Sequence, residues 1–176
     1  MPTVWLVGAG GRTPFVGHLR GARDLGPVRL AWAGRVAGSG SVAEGWEAAE
    51  AARDALADLR APAGPIHGAL EAVLAAACTA LAGIDARWIA RGDMSVLLVA
   101  TDGTRARAAG SGLGAVHGSV GGAWRPLVGA DHPLLGEPGA PGAASHDVPL
   151  ADVWVGVPVG LPFPKRDLPL ACGVHP

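Results

Sequence analysis

The side chains in this chain that could do chemistry are few in kind. Six histidines, ten aspartates and serines such as Ser111, Ser119 and Ser145 could in principle supply a Ser/His/Asp triad. No Gly-x-Ser-x-Gly elbow is placed between a strand and a helix to present the nucleophile. Two acid–histidine pairs occur, Asp131-His132 and His146-Asp147. Sequence neighbours rarely point at one substrate, and a metal would need further ligands from elsewhere. Cys78 and Cys172 lie far apart, with no CxxC and no Cys/His zinc spacing. Cys78 sits in AAACTALA, a helical run in which a buried, inert thiol is expected. Two glycine-rich stretches could hold a phosphate. Gly8-Ala9-Gly10-Gly11 lacks the third glycine of a dinucleotide fingerprint, because Thr13 stands there and Pro14 follows, so a plain turn is expected. Gly38-Ser39-Gly40-Ser41 precedes a helix and could hold an anion at its N-terminus, although a flexible connection is the expectation. The chain has no Asn and no Gln, which excludes every motif that needs a carboxamide.

The elements that must position these residues centre on Asp93 to Leu135. SVLLVAT, Ser95 to Thr101, is an apolar run of strand length. Asp102-Gly103 is read as a two-residue hairpin turn into Thr104 to Ala109, where Arg105 and Arg107 alternate with small residues. Leu113 to His117 and Ala123 to Val128 read as further strands, which makes an antiparallel meander. Before it come strands at Thr3 to Val7 and Val28 to Ala33, with Phe15 to Leu19 as an edge strand or loop and Arg20 to Gly26 as a polar loop. Two helices follow. The first is expected over Val42 to Arg60, with Ser41 and Glu44 as a capping box and Val42, Trp46, Ala49, Leu56 and Leu59 turned inward. The second is expected from Ile66 to Ala82, with His67 in its first turn and Gly83 as its C-cap. Arg87 to Ala90 reads as a strand, and Arg91-Gly92-Asp93 as a turn. Gly136 to Ser145 is expected to be a mobile loop, followed by a strand at Val153 to Val157 and a proline-rich extended tail.

The chain has 176 residues, a net charge of −1 and 49% apolar residues. That length is one domain, able to bury about 70% of its unfolded surface. The charge gives no reason to expect nucleic acid or an anionic membrane as partner. No apolar run is long enough to span a bilayer, and MPTVWLV reads as a strand and not a leader, so the expected location is the cytoplasm. Lys165 is the only lysine, and Ala, Gly, Arg, Val and Pro dominate, a composition like that encoded by GC-rich bacterial genomes. Trp5, Trp32, Trp46 and Trp88 fall in expected core elements. Trp124 and Trp154 are expected to mark an exposed contact patch.

The order of elements, together with LAWAGRVAGSGSVAEGWEAAEAARDAL, SVLLVATDGTRARAAGSGLGAVHG and AWRPLVGADHPL, resembles a shortened, degenerate protein phosphatase of type 2C, the PPM class of metal-dependent Ser/Thr phosphatases. The resemblance runs over about residues 13 to 135. It implies an α+β fold: an antiparallel β-sandwich with an antiparallel helix pair on one face, a truncated αββα arrangement. Residues 1–135 would be the phosphatase-like part, and residues 136–176 a loop, one strand and a tail packed on the same domain. In that family, carboxylates hold two divalent cations that activate the attacking water. Here the first family aspartate falls on Ala33, with Gly34 retained; the Gly-Asp-Ser-Arg phrase has become Gly110-Ser111-Gly112-Leu113; and Asp131-His132 survives as a pair that is not a metal ligand in the family. Asp24 is the nearest acidic residue to the family's Asn-Glu-Asp segment.

The resemblance therefore implies a pseudophosphatase with no catalytic residue, Asp24 as the sole candidate metal ligand, and Gly34, Asp131 and His132 as candidate binding residues; Trp124 and Trp154, from their place outside the expected core, are further candidate binding residues for a protein partner. No cofactor is expected, with Mn or Mg implied only if activity remains. A small α/β protein-interaction module unrelated to phosphatases is the alternative. An active phosphatase with relocated ligands is the third reading.

Overall fold

The computed structural model describes residues 3–6, 17–36, 42–61, 63, 68–88, 94–128, 135 and 145–159. Gly8–Gly11, Gly38–Ser41, His67, the Arg91-Gly92-Asp93 turn, Asp131, His132, the 136–144 loop, the tail and Cys172 lie outside the described residues.

Nine strands and two helices follow in the order β1 (Thr3–Leu6), β2 (Gly17–Leu25), β3 (Val28–Val36), α1 (Val42–Ala57), α2 (Ala69–Trp88), β4 (Met94–Thr101), β5 (Ala106–Ser111), β6 (Leu113–Val120), β7 (Ala123–Val128), β8 (His146–Val148) and β9 (Val153–Pro158) among the described residues. They form a five-stranded sheet of order β2-β3-β4-β5-β8 and a four-stranded sheet of order β1-β9-β6-β7. The five-stranded sheet is antiparallel throughout. The class is α+β, as expected, with a helix pair on one sheet and the second sheet behind it. One pairing departs from an all-antiparallel sandwich: β1 runs parallel to β9.

β4 is the middle strand of the five and is buried along its whole length. Met94, Val96, Leu98 and Ala100 belong to the core under the helices, whereas Leu97 and Val99 belong to the core between the sheets. A strand covered on both faces reads as a continuous apolar run without alternation, which is how SVLLVAT reads. α2 lays Leu70, Val73, Leu74, Ala77, Cys78, Leu81 and Ile84 on the sheet at helical spacing. Ile84 extends that stripe beyond Gly83, so the helix continues to Trp88. Gly83 is no cap, and residues 87 and 88 are helical where a strand was expected.

α1 turns Ala49 and Leu56 inward as the spacing suggests, with Leu59 packed beside them, but Trp46 does not follow. Ala48, Ala49, Ala52 and Leu56 are fully buried, and Trp46 is 51% exposed. Alanines let the helix axis approach the sheet closely, and a tryptophan on that side would hold it away. The segment expected as a polar loop, Arg20 to Gly26, is most of β2, paired with β3 from Gly17↔Val36 to Leu25↔Val28. Leu19 and Leu25 reach the helix-side core while Arg20, Ala22 and Asp24 alternate onto the other side. An edge strand with one wet face carries charges that read as loop.

The turns follow their glycines. Val120 pairs with Ala123 across Gly121-Gly122, with φ of 59° and 78°. Positive φ at both central positions is the requirement of a type I′ hairpin. The β4–β5 turn, expected to be of that kind, is a four-residue loop, because Thr101 pairs with Ala106. The Asp102 carboxylate closes it by accepting from the backbone N–H groups of Thr104 (2.9 Å) and Arg105 (2.8 Å) and from the Thr104 hydroxyl (2.7 Å). These bonds hold its pKa well below the usual carboxylate range.

Candidate functional site

Metal-dependent chemistry would require convergent carboxylates, so the relevant surface is the face of the β2–β3 hairpin that looks toward the second sheet. Register defines that face. Arg20 pairs with Ala33, Ala22 with Ala31, Asp24 with Arg29, and His18 with Arg35. Cross-strand partners share a face, and Ala31 and Ala33 belong to the core between the sheets. β1 packs over β3 there, which buries the two alanines, while Arg20, Ala22 and Asp24 remain exposed.

Asp24, the candidate ligand, sits near the end of β2. Its carboxylate is 68% exposed and accepts from Arg29 NH1 at 2.9 Å. Ala33, which the resemblance matches to the family's first aspartate, is buried. Arg35 lies two residues further along the same face and is half-buried, and that burial lowers its pKa. The face therefore carries three arginines and one aspartate, and the aspartate is engaged by one of the arginines. This donor set does not fit a pair of hard divalent cations, which take several carboxylate and carbonyl oxygens each. Among the described residues no group of three or more His, Cys, Asp or Glu stands close enough together to hold a metal ion.

Gly34 is explained by packing. A Cβ there would lie 3.0 Å from the Ser95 carbonyl oxygen and 3.1 Å from a Val96 methyl. Gly110 is tighter still, because a Cβ would overlap the Val96 carbonyl oxygen. Gly112 has a φ of 64°, and a Cβ on it would sit 2.8 Å from the Met94 carbonyl oxygen. The glycines of Gly110-Ser111-Gly112 thus hold the β4–β5–β6 crossing together.

The two tryptophans expected to form one patch are separated. Trp124 opens β7 just after the glycine turn and is 40% exposed, whereas Trp154 is 1% exposed within the core between the sheets. Trp154 alternates inward from β9 with Val4 and Val116 around it, so it is a core residue and not a contact residue. Asp24 and Trp124 stand on β2 and β7, outer strands at opposite sides of the sandwich, since β1 lies over β3 and β7 lies near β8. Among the described residues, the structure brings no two of the candidates into one site.

A cluster missed by the sequence reading surrounds Arg107 on β5. Its guanidinium donates to Glu71 of α2 at 2.6 Å and to the Ser145 carbonyl at 2.8 Å, and lies 3.5 Å from Asp147 of β8. His146-Asp147, an adjacent pair in the sequence, is part of this edge strand. The residues involved are separated by 36 and 38 positions in sequence, so no local spacing could have announced the cluster.

No protein-family model matches the chain. No curated protein matches it either. Among solved structures, the chain is similar to the crystal structure of the RsbU and RsbW domains of Rv1364c from Mycobacterium tuberculosis, with a TM-score of 0.50 and 17% identity. The likeness covers 84% of this chain and 40% of that one, so the chain spans well under half the length of that neighbour. At this identity the likeness is one of fold.

Proposed function

We propose that this chain is a PPM, type 2C phosphatase-like domain without a catalytic metal centre, and that it acts by binding a protein partner. The observation that carries the reading is the charge of the β2–β3 face: Arg20, Arg29 and Arg35 share it with Ala33, the position that the resemblance matches to the family's first aspartate, and Asp24 is tied to Arg29. A cation placed there would meet like charge. The fold likeness to a protein described by its RsbU and RsbW domains supports the phosphatase-like scaffold. Trp46 and Trp124 supply exposed aromatic surface of the kind enriched at protein contacts.

The test is calorimetric titration of the chelator-treated protein with Mn²⁺ and with Mg²⁺, beside an assay of phosphopeptide hydrolysis. The expected result is no heat of metal binding and no turnover. Tight Mn²⁺ binding accompanied by turnover would overturn the reading.

A further inference from the structure

The sandwich has several strand edges, and they are not equivalent. β8 is three residues long and β1 four. β7 carries Pro126, which has no N–H to offer a new strand. β2 is nine residues long, pairs only with β3 among the described residues, and contains no proline. An unpaired edge of that length presents a row of backbone donors and acceptors that natural sheets cover, shorten or charge.

The charge on this edge has one sign. Across β2 and β3 stand four arginines, Arg20, Arg23, Arg29 and Arg35, and one aspartate, a net +3 in a chain whose total is −1. The arginines of β2 point to both faces: Arg20 toward the second sheet, and Arg23 toward the helices, on the side of Leu19 and Leu25. Arg23 NH1 is buried and meets no hydrogen-bond acceptor among the described residues. A buried guanidinium N–H in that state is costly and gains most from an incoming carboxylate.

We propose that the edge of β2 takes up an acidic, extended segment of a protein partner as an added strand, with carboxylates on its two faces answering Arg20 and Arg23. Strand addition supplies the affinity through main-chain hydrogen bonds, and alternate side chains supply the selection. A second copy of this chain is disfavoured as the occupant, because two β2 edges would bring +3 against +3. The proposal rests on the preceding reading only in taking the partner to be a protein.

The experiment is titration of the full chain, by fluorescence anisotropy, with three labelled probes: a short peptide alternating glutamate and valine, its lysine–valine counterpart, and the glutamate peptide N-methylated at alternate backbone positions. The acidic peptide is expected to bind, more weakly as salt rises, and the other two are not. Arg20→Ala, at an exposed position, should weaken binding about tenfold, the loss of one charge-assisted hydrogen bond. Arg23→Ala should act similarly, and if it fails to fold, Arg20→Ala alone decides. Equal binding of the lysine peptide, indifference to N-methylation, or indifference to Arg20→Ala overturns the proposal. Self-association of the full chain that strengthens with Arg20→Glu would assign the edge to a second copy and overturn it too. Phosphopeptide turnover would sink the non-catalytic reading while leaving this one to the peptide titration, so the two fail separately.

Discussion

Cys78 sits on the inner side of α2, and burial pushes its thiol pKa up to about 11. The thiolate is the reactive form, so at neutral pH this residue is an apolar filler between helix and sheet. In a Cys172→Ser background, a thiol reagent should modify native Cys78 at least about tenfold more slowly than the urea-unfolded chain, as followed by mass spectrometry. Rapid native labelling would mean that α2 lifts off the sheet. The buried thiol was legible in AAACTALA because a small polarisable side chain in an alanine-rich helix has little else to do. The glycines were harder. Gly110 and Gly112 lie in what looked like a decayed catalytic phrase, yet each is held by contact with a neighbouring backbone carbonyl, of Val96 and of Met94. A sequence does not record which carbonyl will press against a Cα hydrogen. Asp24 was legible as an acid but not as the partner of Arg29, which lies across a hairpin hidden by the loop-like look of β2.

At the scale of elements, Arg107 ties α2, β5 and β8 together through Glu71, Ser145 and Asp147. The Glu71 carboxyl is held below its ordinary pKa, first by a hydrogen bond from its own backbone N–H and then by Arg107. Because that pKa is lowered on folding, the stabilisation is present at neutral pH and is lost as the carboxyl protonates in acid. Arg107→Ala should cost about 1–3 kcal/mol, read as a lower urea midpoint, with the earliest loss of amide protection in β8. An unchanged midpoint would show that the clamp is ornamental. Strand β7 was legible to both of its ends, and β4 nearly so, because turn glycines and an unbroken apolar run are local signals. β2 and β8 were not, since an edge strand's identity comes from the neighbour it pairs with. Trp46 was misassigned for a related reason: the inner face of α1 is set by how closely its alanines let it approach the sheet, and not by the largest residue.

At the scale of the molecule, two cores share one wall. The helix-side core and the core between the sheets meet at the two faces of β4. The sheet behind is completed by β9, whose Val155 pairs with Trp5 on one side and His117 on the other. Val155→Pro would remove an N–H from a central strand and should destabilise the chain by about 3 kcal/mol or more. Hydrogen exchange should then show β1, β6 and β9 opening before β4 and α2. Simultaneous loss everywhere would mean that the two cores unfold as one unit. The class and the helix pair were legible in the order of the elements. The parallel β1–β9 pairing was not, because it joins residues far apart along the chain.

That pairing bears on how the protein is made. Thr3 is matched with Val153, so β1 leaves the ribosome well before the strand it pairs with, and waits for it. Strands β2 to β5 and both helices can assemble meanwhile, since their contacts are nearer in sequence. During synthesis β1 is an apolar ribbon, TVWL, with no sheet to join. Its exposure lasts as long as translation takes to reach β9, and that interval is when a chaperone would find this chain.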